Sequence, residues 1–187
     1  SCPKPLQTPH PPIWVAARSP ITFDYAIKNE CNIMSWPLTR PFEEAELYKQ
    51  QLDEAMEKAD ARYSPVFAMM RHTCVYDNEK DRQSAMNAIR SVLGQFENLF
   101  RQTGEVQNGF PQQVALESLE GREQYDPKML EENLMFGSPD VVIEKLKRYE
   151  ALGVDEFIYY ASMGLGLEEQ KRSMRLFIDE VMPAFAA

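Results

Sequence analysis

The sequence predicts an α/β protein of four strand–helix units, and three observations lead there. Short apolar, β-branched runs alternate with longer segments whose apolar residues recur at helical spacing, the pattern of parallel βαβ units. Two helix starts are marked by a Ser-Pro pair, Ser19-Pro20 and Ser138-Pro139, with Ser suited to the N-cap and Pro to the first helical position. The length of 187 residues suits one well-buried domain, whereas a closed (β/α)8 barrel typically needs about 250 residues and eight strands. Periodicity alone leaves two architectures open, a small open α/β sheet and half a barrel.

The first twelve residues hold Pro3, Pro5, Pro9, Pro11 and Pro12, so residues 1–12 are expected to form an extended lead-in. Ile13-Trp14-Val15-Ala16-Ala17 reads as the first buried strand. The helix opened by Ser19-Pro20 should run to about residue 29, and Asn32-Ile33-Met34-Ser35-Trp36 is the second strand, stopped by Pro37. Tyr48, Leu52, Ala55, Met56 and Ala59 mark a helix within 42–60. Val66 to Tyr76 is a long strand, and Ala85, Ile89, Val92, Phe96 and Phe100 face one side of a helix over 81–102.

The segment 103–128, with Gly104, Gly109, Pro111, Gly121 and Pro127, breaks the pattern. It is expected to be a variable, mobile loop, either an active-site lid or a disordered excursion, with room for a short helix at 113–120. Phe136-Gly137-Ser138-Pro139-Asp140 is read as a loop into a helix that carries Val142, Leu146 and Tyr149 and stops at Gly153. The fourth strand follows over 154–161. Met174, Phe177, Ile178 and Val181 define the last helix, closed by Pro183.

Composition narrows the function. Hydrophobic residues make up 44% and charged residues 26%, an ordinary balance for a globular chain. A net charge of −9 argues against a nucleic-acid surface. No run reaches the ~18 apolar residues of a membrane span, and the first twelve residues do not resemble a signal peptide. Cys2, Cys31 and Cys74, without CxxC spacing and with only two histidines elsewhere, support neither a metal site nor a disulfide framework. A cytoplasmic location with free thiols is expected.

Several motifs together resemble the bacterial luciferase-like, flavin-dependent monooxygenases. Pro11 to Pro20 is similar to the fifth barrel strand of that family and the helix start after it, and residues 32–36 to its sixth strand. The likeness is strongest from Phe136-Gly137-Ser138-Pro139-Asp140 to Gly153-Val154-Asp155. The ending Arg172-Ser173-Met174-Arg175-Leu176-Phe177, then Val181-Met182-Pro183, follows the same pattern.

The resemblance implies the C-terminal half of a (β/α)8 TIM barrel as one domain over 1–187, and FMN as cofactor. Reduced flavin comes from a separate flavin reductase, and a small organic molecule is oxidised by O2. It also implies that the family's catalytic histidine belongs to a missing N-terminal half, so that no catalytic residue is assigned here and the chain alone is expected to be inactive. Related barrels use a deazaflavin instead of FMN. The alternative is a non-catalytic flavin-binding remnant or an assembly module. A half-barrel leaves an open sheet edge and an apolar face, so self-association, or pairing with the missing half, is expected.

Ser19 and Thr22 lie in the first turn of a helix that begins just after a strand, where backbone N–H groups, hydroxyls and the positive helix end suit a phosphate. Ser19 can equally be only a helix cap. The resemblance favours contact of Ser19 and Thr22 with the FMN phosphate, and Arg18 can add a cation. Trp36, at the end of the second strand, either borders the flavin ring or belongs to the core. Phe96 is a weaker pocket candidate than a core residue, His72 a packed or surface histidine rather than an acid–base group, and His10 a loop residue. Gly164-Leu165-Gly166 reads as a turn, and Glu43, Glu44 and Glu46 as a favourable first helical turn.

Overall fold

A computed structural model describes residues 4–101, 105–161 and 163–186; Cys2, Pro3, Thr103 and Gly104 lie outside the described residues. In chain order the elements are β1 (Trp14–Ala16), α1 (Pro20–Lys28), β2 (Asn32–Ser35), α2 (Glu43–Lys58), β3 (Phe67–Val75), α3 (Glu79–Arg101), β4 (Val106–Gln107), β5 (Phe110–Pro111), α4 (Pro127–Asn133), β6 (Met135–Gly137), α5 (Pro139–Leu152), β7 (Glu156–Tyr160) and α6 (Leu167–Leu176). The four expected strand–helix units are present. The short strand β6 is added where a loop was expected, at Phe136-Gly137. The chain forms two compact units, Ser1–Arg71 with Tyr149–Ile158, and His72–Arg148 with Tyr159–Ala187.

In the first unit, β1, β2 and the start of β3 are parallel neighbours, with Val15 opposite Ile33 and Ile33 opposite Phe67. Their connections are helices because parallel strands need a crossover. Helix α1 follows the extended backbone of Ser19 and buries Phe23, Ala26 and Ile27, an i, i+3, i+4 stripe. Removing the Phe23 side chain from water stabilises the unit by about 1.5–3 kcal/mol. Helix α2 buries Ala45, Tyr48, Leu52 and Ala55, and its acidic first turn of Glu43, Glu44 and Glu46 complements the helix dipole. Gly153, at φ +87°, ends α5 in the left-handed region that favours glycine. Asp155 then accepts the Phe67 N–H at 2.8 Å and donates its own N–H to the Phe67 carbonyl at 2.9 Å.

The second unit is built around Cys74, Tyr76, Ala85, Met86, Ile89, Leu130, Leu134, Phe136 and Met163. The last three residues of β3 pair in parallel with β6, Thr73 opposite Met135 and Val75 opposite Gly137. Residues 105–128 carry structure of their own. β4 and β5 form an antiparallel hairpin closed by Asn108 and Gly109 at φ 51° and 82°, the geometry that Asn-Gly favours. Two 3-10 turns follow, Leu116–Leu119 and Glu123–Tyr125. Leu119 is buried against Gly94 of α3, and Asn98 donates to the Gln112 carbonyl at 3.0 Å.

Polar clamps tie the second unit together. The Lys145 ammonium donates to the carbonyls of Glu131, Leu134 and Phe136 at 2.5, 2.8 and 2.9 Å, holding the turn from α4 into β6. The Ser173 hydroxyl accepts the Val75 N–H at 2.7 Å and is bonded to the Tyr159 hydroxyl at 2.7 Å. Beyond α6 the last expected helix continues as a π turn over Phe177–Val181 and a 3-10 turn over Met182–Phe185. Pro183 interrupts regular helical bonding there. Among the described residues no helix is long and apolar enough to cross a membrane.

Candidate functional site

β1 and β2 end side by side, and the candidate residues stand just past those ends. The Ala17 N–H donates to the Met34 carbonyl at 3.0 Å, and the Ser35 hydroxyl donates to the Ala17 carbonyl at 2.7 Å. Ala17 and Ser35 are fully buried. These two bonds hold the Arg18-Ser19 loop beside the loop that begins at Trp36. In parallel strand–helix folds, the loops at the strand C-termini carry the binding groups.

Ser19 occupies the N-cap position of α1 in an extended conformation, φ −135° and ψ 153°, but its side chain makes no capping bond to the backbone. The amides of Thr22 and Phe23 bond instead to the Ser19 carbonyl at 2.9 and 3.1 Å. The exposed Ser19 hydroxyl meets the Thr22 hydroxyl at 3.0 Å. The helix therefore starts here without using the Ser19 side chain, and two hydroxyls sit together at its positive end. Such a pair can reorient both protons toward an anion.

Arg18 adds the charge. Its Nε donates to the Tyr48 hydroxyl at 3.2 Å, and that hydroxyl donates to Glu44 at 2.9 Å. Burial pushes the Tyr48 phenol up, against the lowering influence of the bond from Arg18, so the phenol stays protonated and can bridge the two ions. The two terminal nitrogens of Arg18 have no partner among the described residues. A phosphate monoester, with three acceptor oxygens and up to two negative charges, fits this donor set of guanidinium, two hydroxyls and helix end.

Trp36 follows β2 directly and is half-buried, flanked by buried Ser35 and Pro37. The loop after it is held by Arg71, a residue whose role the sequence did not disclose. Arg71 has 0% exposure and sits in β3. Its Nη1 donates to the carbonyls of Leu38 and Arg40 at 3.2 and 2.7 Å, and its Nη2 to that of Pro41 at 3.3 Å. Its Nε donates to the Tyr149 hydroxyl at 2.8 Å, and Phe42 packs edge-on against the Tyr149 ring at 5.0 Å. The available signal was a charged residue in the middle of a strand whose first four residues are apolar.

The remaining candidates lie elsewhere. His72 is buried and stacked on Tyr160, with centroids 4.4 Å apart and planes at 23°. His10 is exposed, with its ring nitrogen 2.8 Å from the Pro11 carbonyl. Phe96 is 46% exposed on α3 and packs edge-on to Phe100 at 5.2 Å, so it is not a buried core residue. Gly164 has a φ of +84°, as a turn requires, and the Gly166 N–H is taken by the Glu169 carboxylate at 3.0 Å. A surface cavity of about 710 Å³ opens between Asp24, Lys58 and Tyr63, where α1 and α2 end. That is the opposite end of these helices from Ser19 and Glu43.

Residues 1–156 match the luciferase-like monooxygenases, and the chain belongs to that family. Among individual relatives, it is 37% identical over 186 residues to the oxygenase component of a flavin-dependent trigonelline monooxygenase from Acinetobacter baylyi, covering 100% of this chain and 52% of that protein. Its fold is similar to the crystal structure of the monooxygenase RslO1 from Streptomyces bottropensis, with a TM-score of 0.66 at 22% identity over 99% of this chain and 51% of that one. It is also similar to the oxygenating constituent of 3,6-diketocamphane monooxygenase from Pseudomonas putida, solved in complex with FMN, with a TM-score of 0.64 at 17% identity over 94% and 49% of the two chains. The chain thus spans about half the length of the relatives it matches.

Proposed function

We propose that this chain supplies the phosphate-binding part of the flavin site in a two-component, FMN-dependent monooxygenase. A separate reductase delivers the reduced flavin, and a small organic molecule is oxidised at the expense of O2. The observation that carries this reading is the Ser19 hydroxyl, which sits at a helix start without capping it and lies beside the Thr22 hydroxyl, one residue after Arg18. When bound, FMN supplies the redox chemistry. The residues of this chain bind and orient it: Ser19, Thr22 and Arg18 hold the phosphate, and Trp36 borders the ring.

The relatives support the class of reaction, since one is named as the oxygenase component of a flavin-dependent system. The reaction of the whole enzyme then depends on pairing with a further strand–helix half. The first test is a fluorescence titration of the 187-residue chain with FMN and with riboflavin, which has no phosphate. Ser19→Ala is expected to weaken FMN by about 1.5–3 kcal/mol, the loss of one charge-assisted hydrogen bond, and to leave riboflavin nearly unchanged. Equal losses for both ligands would make Ser19 a structural residue and overturn the phosphate assignment.

A further inference from the structure

We propose that Arg71 is a positioning residue, which fixes the loop at 37–42 and through it the Trp36 wall of the ring end of the site. The part of the proposal that concerns flavin rests on the function given above.

The argument begins from cost. An arginine keeps its charge at any ordinary pH, and burying that charge is unfavourable unless its donors are met. Arg71 is fully buried and meets the requirement with carbonyls of one short loop, those of Leu38, Arg40 and Pro41, and with the Tyr149 hydroxyl. Its guanidinium carbon lies 5.8 Å from the Tyr149 ring centroid, a favourable cation–π distance. An apolar side chain of similar volume fills such a space at lower desolvation cost, so packing alone does not account for an arginine here.

What the arginine adds is a fixed loop. The loop needs it, because Leu38 has a φ of +57°, a region unfavourable for a residue with a Cβ. Its turn is closed by one backbone bond, from the Arg40 N–H to the Pro37 carbonyl at 2.9 Å. Arg71 binds the Leu38 carbonyl next to the strained torsion and the Arg40 carbonyl after it. Trp36 is joined to this turn through buried Pro37, so a loop free to change conformation would shift the indole with it.

The test compares Arg71→Met, Arg71→Lys and Tyr149→Phe with the parent chain. Three quantities are measured: thermal unfolding, amide hydrogen exchange, and affinity for riboflavin and FMN. Arg71→Met is expected to unfold in a single transition while the amides of Leu38, Thr39 and Arg40 exchange at least about tenfold faster. It is expected to weaken riboflavin and FMN by the same factor, about tenfold, whereas Ser19→Ala weakens FMN alone. Arg71→Lys, with a single ammonium for the same carbonyls, should fall between Arg71→Met and the parent.

Unchanged loop exchange in a folded Arg71→Met overturns the clamp. A loss confined to FMN overturns the link to the ring end. Should Arg71→Met fail to fold, Tyr149→Phe decides, because faster loop exchange with intact folding supports the clamp and unaltered exchange overturns it. A parent chain that binds neither ligand overturns the flavin reading and the positioning role with it, while loop exchange in the variants still decides the clamp.

Discussion

Glu131 gathers three hydrogen bonds on one carboxylate: Arg82 Nε at 2.8 Å, Arg82 Nη2 at 3.0 Å, and the Tyr76 hydroxyl. The bonds from Arg82 hold the Glu131 carboxyl below its ordinary value of 4.5, while burial and the neighbouring carboxylate push the Tyr76 phenol up. A depressed carboxyl contributes stability that is present above its unfolded pKa and is lost as pH falls through the folded one. Glu131→Gln should therefore lower stability at neutral pH by about 1–2 kcal/mol and flatten the acid side of the stability–pH curve below the ordinary 4.5. Urea unfolding at a series of pH values measures both, and an acid side as steep as in the parent would assign that dependence to other carboxylates. Cys74 is the opposite case, buried and pushed up to about 11. Its thiol should resist thiol reagents at pH 8 until the chain unfolds, and labelling as fast as in denaturant would refute its burial.

At the scale of elements, glycine conformations carry the most exposed prediction. Gly137 ends β6 at φ +152°, and a Cβ there would lie 2.6 Å from Val141 Cγ1 and 2.9 Å from Val141 Cβ. Gly137→Ala thus combines a torsion that L residues rarely adopt with contact against the first turn of α5. It should cost about 2–3 kcal/mol, read as a lower Tm; a Tm within a degree of the parent would mean that the turn relaxes freely.

Helices α1 and α2 were legible because their apolar residues recur at helical spacing and their starts hold a Ser-Pro pair or a cluster of acids. β6 was not, because three residues, Met135, Phe136 and Gly137, are too few to display alternation. It is a strand because the end of β3 offers it a ladder. The β4–β5 hairpin had a local signal in Asn108-Gly109, but flanking strands of two residues gave no periodicity to frame it. The candidate site was legible in part. A Ser-Pro start after a strand pointed to Ser19 and Thr22, whereas the bonds from Arg71 to loop carbonyls depend on a pairing in space that no spacing encodes.

At the scale of the molecule, β1 has an open side. It stands at the end of the strand order, pairs with β2 alone among the described strands, and carries Trp14 and the preceding Ile13 at 40% and 49% exposure. An unpaired parallel edge with exposed apolar side chains invites another strand. The proposed pairing with a second copy or with a complementary half would meet this edge. Light scattering across a wide concentration range should detect self-association of the isolated chain. A monodisperse monomer throughout would exclude pairing of copies. Replacing Trp14 by Lys places a charge at that edge and should shift the association midpoint to about tenfold higher concentration.

The three carbonyls around the Lys145 ammonium also make this amine a built-in clock. Acylating reagents attack only a free amine, and Lys145 must leave its cage and shed a proton before it can react. Lys128 and Lys147, both exposed, should be modified at once, with Lys145 following at the rate at which the turn into β6 opens. Timed acetylation read by mass spectrometry would then report the breathing of one turn through the chemistry of a single side chain.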